Sequence, residues 1–165
     1  MDKQPQAVSH QRGTWIDPAT GQSLSFQALM QEMAKKSVVM LGETHDIAEA
    51  HRWQLSTAAF IYALRPNMMM GFEMFPRRLQ PVLDEWVAGK LDTAAFLEKS
   101  EWKTVWGFPP EIYLPLFHFC RQYNIRMLAL NCYRELVTRV GKEGWEAVPV
   151  EERDGLTPAA PPEAA

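Results

Sequence analysis

The chain has 165 residues, about the length of one domain, and its 47% hydrophobic and 22% charged residues are ordinary for a protein that folds around a core. Its net charge of −3 gives no support for a nucleic-acid partner, which would need a basic face. No apolar run approaches the roughly 20 residues of a transmembrane helix. The first 13 residues also lack the apolar centre of a signal peptide. We therefore expect either a cytoplasmic protein or an exported one whose signal has been removed.

Three segments are predicted. Residues 1–13 form a flexible N-terminus, 14–146 a single α/β domain, and 147–165 a Pro/Ala-rich disordered tail without hydrophobic periodicity. Cys120 and Cys132 have no CxxC spacing, so both are interpreted as small buried hydrophobic residues.

The first predicted helix is capped by Ser23 or Ser25 and carries Phe26, Leu29, Met30 and Met33 on one face. It leads into the apolar run Val38–Leu41, which predicts a strand buried on both faces.

A second helix is predicted from Ile47 to Leu64, with Asp46 as its N-cap. The remaining predicted elements follow in chain order: a strand at Met68–Phe72, a helix opened by Pro76 and ended at Gly89, a short helix capped by Asp92, a loop at Trp102–Pro110, a helix from about Leu114, a strand at Ile125–Leu130 and a helix from about Tyr133 to Val140. This order predicts an α/β fold with flanking helices and a mostly parallel sheet of about three strands, which is small for a complete domain.

Polar side chains follow each predicted strand: Glu43 and His45 after the first, Glu73 after the second and Asn131 after the third. The carboxyl ends of parallel strands meet at one edge of a sheet, so these groups could converge there. Imidazole and carboxylate groups could bind a divalent metal or act as a general acid and base. The structural alternative is that Glu73 is a cap or a salt-bridge partner and that Asn131 is a turn residue or a helix cap.

Aromatic side chains crowd the region after residue 100: Trp102, Trp106, Phe108, Tyr113, Phe117 and Phe119. One interpretation is a loop folded onto the core. The other is a flat apolar surface for a planar ligand or a partner subunit. Tyr113 matters in the second case because a tyrosinate can bind haem iron as an axial ligand.

These stretches together resemble the ChaN-like haem-binding uptake family of the TIKI superfamily. The resemblance rests on Leu41–Asp46 with His51 and Gln54, on Gly71–Phe75 with Arg77 and Gln80, on Trp106 with Tyr113, and on Ala129–Asn131.

The resemblance implies an α/β domain that binds haem between two subunits in iron or haem uptake, often as an envelope lipoprotein. Haem-binding candidates are then Tyr113, His51 and Trp106, and Glu43, His45 and Glu73 are the metal candidates, with Asn131 as polar support. Family domains are longer, so we expect this chain to correspond to their first part.

The first functional hypothesis is therefore a homodimeric haem-binding protein that is not an enzyme. The alternatives are a metal-dependent hydrolase or peptidase that uses Glu43, His45 and Glu73, and a truncated fragment without function.

Overall fold

The computed structural model describes residues 10–11, 13–158 and 160. They fall into two compact units, unit 1 within Met1–Asn67 and unit 2 within Met68–Ala165. Most of the predicted flexible N-terminus lies outside the described residues.

Unit 1 contains a tight turn and two helices, α1 (Phe26–Ala34) and α2 (Ala48–Leu64). The Ser25 hydroxyl caps α1 by accepting a hydrogen bond from the Ala28 N–H, as predicted. The helices pack through Phe26 and Phe60, whose rings meet edge to face at 4.7 Å. The N-cap of α2 is Ile47 and not the predicted Asp46, and no side chain caps that end.

The predicted strand at Val38–Leu41 is wrong: these residues form an extended connection without sheet pairing. Val38 is 74% and Met40 90% exposed, so the run is not buried on both faces. An extended run becomes a strand only when a neighbouring strand pairs its backbone groups. Among the described residues the sheet therefore has two strands, where about three were predicted.

Unit 2 is built around two parallel strands, β1 (Met69–Pro76) and β2 (Arg126–Asn131). Gly71 pairs with Leu128, and the register becomes irregular between Phe72 and Pro76. Alternate residues bury one face of the sheet, on which Phe72 and Ala129 lie. This arrangement is the α/β architecture predicted from the order of elements.

Helices of unit 2 connect and follow the strands: α3 (Gln80–Val87), α4 (Thr93–Lys99), α5 (Trp102–Val105), α6 (Leu114–Gln122) and α7 (Arg134–Glu143). The Asp92 carboxylate caps α4 as predicted, accepting from the Ala95 N–H at 2.8 Å. Pro115 lies in the first turn of α6, where its missing N–H costs no hydrogen bond. The predicted loop after Trp102 contains the short helix α5.

The core of unit 2 is aromatic. The Phe117 ring lies 5.2 to 5.7 Å from the rings of four neighbours, which are Phe72, Phe75, Phe96 and Trp102. The buried Trp86 indole N–H donates to the Phe117 carbonyl at 2.9 Å and so joins α3 to α6. Tilted and edge-to-face ring pairs of this kind add to the stabilisation from burial.

The segment after residue 146 has local structure among its described residues. A 3₁₀ turn spans Val150–Glu152, and Val148 is almost completely buried. The Arg153 guanidinium donates to the Val148 carbonyl at 2.8 Å, and Arg77 donates to the Asp154 carbonyl at 3.3 Å. Residues 159 and 161–165 lie outside the described residues.

Candidate functional site

The candidate site of unit 1 is a carboxylate held between two imidazoles. Glu43 and His45 lie in the loop before α2, and His51 lies in α2. Glu43 Oε1 lies 2.8 Å from His45 Nδ1, and Glu43 Oε2 lies 2.7 Å from His51 Nδ1. The structure therefore brings Glu43 and His45 together, as expected from the sequence, and adds His51 to them.

The three side chains differ in exposure. His51 is 2% exposed and Glu43 12%, whereas His45 is 40% exposed. The arrangement is thus buried on the His51 side and open to solvent at His45.

The contact that His51 makes through Nε2 shows that this nitrogen carries a proton. His51 Nε2 is 3.1 Å from the His45 carbonyl oxygen, and a carbonyl can only accept a hydrogen bond, so Nε2 carries a hydrogen.

Helix α2 anchors this loop at two points. The Gln54 amide donates to the Leu41 carbonyl at 3.1 Å, and His51 contacts the His45 carbonyl one turn earlier on the same helix face. The spacing of three residues between His51 and Gln54 is the sequence signal that could have indicated this role. The loop is held by side chains of α2, which is a regular and well-packed element.

His51, a predicted haem ligand, lies in the interior of unit 1. Both of its nitrogens face partners of the same unit, and its ring is almost inaccessible to solvent. His51 is a support for Glu43 and for the loop.

The predicted metal set has no support in the described part of the chain. There, no group of three or more His, Cys, Asp or Glu side chains is arranged to hold a metal ion. Each carboxylate oxygen of Glu43 already contacts an imidazole. Glu73 belongs to unit 2, where it lies within β1 and not after it, on the exposed face of the strand.

Asn131 ends β2, as predicted, and its side-chain oxygen accepts from the Cys132 N–H at 2.9 Å. The Asn131 side chain therefore contacts the backbone of the next residue, and its role as polar support of a site stays a prediction.

The aromatic candidates of unit 2 belong to its packed interior. Tyr113 is 0% exposed and stacks on Phe117, and its ring meets Trp102 at 5.2 Å and Trp106 at 6.3 Å. Trp106 is half-buried between Phe108 and Tyr113. The interpretation of this region as a segment folded onto the core describes Tyr113 best. The role of Tyr113 as an iron ligand stays a prediction.

Comparisons with known proteins agree with this fold. A structure described as cofacial heme binding to ChaN of Campylobacter jejuni matches with a TM-score of 0.66 and 20% sequence identity. The match covers 82% of this chain and 53% of that one, so this chain spans about half the length of its structural relative. A comparison with curated proteins found no match.

The family comparison covers most of the chain. Residues 29–165 match the family described as haem-binding uptake, Tiki superfamily, ChaN. This range includes the Glu43 loop of unit 1 and both strands of unit 2. The chain belongs to the ChaN family of haem-binding uptake proteins in the Tiki superfamily.

Proposed function

We propose that this chain binds haem in haem or iron uptake and does so as a homodimer. The observation that carries the proposal is the family match over residues 29–165. The fold supports it, because the structural relative with the same architecture is described as binding heme cofacially.

One partly exposed imidazole among the described residues has the chemistry of a haem ligand. Imidazole nitrogen is an established axial ligand of haem iron. His45 is the partly exposed imidazole of the Glu43 cluster, whereas the predicted candidates His51 and Tyr113 are buried. When bound, haem would supply an iron centre and a large apolar ring. The chain would supply an iron ligand and an apolar contact surface.

A haemin titration tests the proposal. We expect a sharp Soret band that saturates at a simple molar ratio, and a doubling of mass in sedimentation when haemin is added. Serum albumin in competing amounts should not remove haem from a formed site, although it would remove adsorbed haemin. A titration without an endpoint would refute haem binding, and a saturable site on a particle with the mass of one chain would refute the dimer.

The predicted tyrosine ligand can be tested in the same titration. Tyr113→Phe keeps the buried ring and removes only the phenol oxygen. Since Tyr113 is fully buried, we expect the variant to give the Soret band and stoichiometry of the wild type. Loss of the wild-type spectrum would restore Tyr113 as the iron ligand.

A further inference from the structure

The segment around residue 153 lies beside the carboxyl ends of both strands of unit 2. Arg77 directly follows β1, and its guanidinium donates to the Asp154 carbonyl at 3.3 Å. Tyr133 comes one residue after the end of β2 is passed, and its hydroxyl donates to the Glu152 carbonyl. Each contact is made by a single side chain, so residues 152–154 lie within one side-chain length of this edge. Ligands of open α/β sheets bind at the same edge.

We propose that residues 149–156 form a strap that covers the carboxyl edge of the sheet and opens without unfolding of unit 2. Arg77 and Tyr133 are the latch that holds the strap in its closed position. The strap controls access to the edge of the sheet, and this role does not depend on the proposed function.

The strap has a fixed base. Val148 is 1% exposed, so its side chain anchors the chain immediately before the strap. The Arg153 guanidinium folds back onto this anchor, where it donates to the Val148 carbonyl at 2.8 Å and lies 4.7 Å from the centre of the Trp145 ring. The anchor belongs to the core of unit 2, and the latch is the second point of attachment.

Beyond Val148 the strap is held by polar contacts and not by burial, because none of residues 149–156 is fully buried. The Glu152 carboxylate pairs with Arg139 of α7, but both side chains are partly exposed, and such pairs contribute little to stability. In the described part of the chain, the buried Oδ2 atom of Asp154 has no hydrogen-bond partner, which destabilises the closed position. Segments with few buried apolar contacts and exposed hydrogen bonds open locally at a low cost in free energy.

Two substitutions release the latch without removing buried apolar surface. Tyr133→Phe removes only the hydroxyl group, and Arg77→Met removes the guanidinium but keeps an unbranched side chain. Arg126→Met is the matched control, because Arg126 is an exposed arginine of β2 whose ion-pair partner is Asp84. Urea unfolding followed by circular dichroism verifies that each variant is folded.

Hydrogen exchange of the Arg153 and Leu156 amides measures opening of the strap, and the Ala129 amide of β2 is the reference. Both strap amides donate within short turns of the strap, which do not persist once it detaches. We expect them to exchange faster than Ala129 in the wild type, and about 3- to 10-fold faster again in each latch variant, the factor that one hydrogen bond contributes. Strap amides that exchange only together with Ala129, or latch variants that match Arg126→Met, would overturn the proposal.

The thiol of Cys132 reports whether the strap covers the edge, because this residue lies between β2 and Tyr133. Cys120, the second cysteine of the chain, is buried and its pKa is raised to about 12, so a thiol reagent at pH 8 reacts with the folded protein at Cys132. We expect Arg77→Met to raise the labelling rate of Cys132 by about 3- to 10-fold and the control to leave it unchanged. Faster exchange of the strap with an unchanged labelling rate would show that it opens but does not cover the edge, which would overturn the gating role.

Discussion

Gln80 pairs with the edge of β2 as a neighbouring strand would. Its amide nitrogen donates to the Met127 carbonyl at 2.8 Å, and its amide oxygen accepts from the Ala129 N–H at 2.9 Å. Along β2, residues whose backbone groups face Gln80 alternate with residues whose backbone groups face β1. One side chain at the start of α3 therefore satisfies a donor and an acceptor on the edge of β2 that faces away from β1.

Gln80→Met should destabilise unit 2 because it removes both contacts without a large change in side-chain volume. Each partly buried backbone group that loses its partner costs about 1 to 3 kcal/mol. Ala129 is nearly buried, whereas the Gln80 side chain is partly exposed and water can reach the edge from that side. We therefore expect a loss of about 2 to 4 kcal/mol in the free energy of unfolding.

Urea unfolding followed by circular dichroism measures the loss, and hydrogen exchange of the Ala129 amide locates it. Gln122→Met is the matched control, since Gln122 is exposed at the end of α6, and it should change stability by less than about 0.5 kcal/mol. Gln80→Glu should retain the bond from Ala129 and lose the donor to Met127. If Gln80→Met were as stable as the control and its Ala129 amide stayed protected from exchange, Gln80 would not stabilise the edge of β2 in the way that a neighbouring strand does.

Three further predictions concern unit 2. Phe117→Ala should cost about 3 to 5 kcal/mol in urea unfolding, because this ring is fully buried at the centre of the aromatic core. The hydrogen bond from Arg78 lowers the pKa of Glu101, so Arg78→Gln should raise that pKa in a carboxyl NMR titration. The pair stabilises the fold above the ordinary glutamate pKa, and this contribution is lost as the pH falls through the lowered value. Burial raises the pKa of Cys120 to about 12, so Cys132→Ser protein should react with a thiol reagent at pH 8 only on unfolding.

Elements set by local chemistry could be predicted from the sequence. Ser25 and Asp92 cap their helices because a short polar side chain before an apolar helical pattern satisfies the first free N–H groups. The helix predicted from about Leu114 begins at that residue, because Pro115 is tolerated in the first turn of a helix and not in its interior. These features need only a few neighbouring residues.

The strand at Val38–Leu41 could not be decided in this way. An apolar run of this length is compatible with a strand, but strand formation depends on partners that are distant in sequence. The sequence predicted a strand that begins near Met69, but it placed the end of that strand at Phe72. The strand continues through Glu73 to Pro76. Glu73, which was predicted to follow this strand, therefore lies within it.

The Glu43 loop shows what adjacency in sequence can and cannot predict. Glu43 and His45 are separated by one residue, so their proximity followed from the sequence alone. The role of His51 did not, because it depends on α2 starting at Ala48 and turning that ring back toward Glu43. No side chain caps α2 at Ile47, and the loop before the helix is held by His51 and Gln54, which contact the His45 and Leu41 carbonyls.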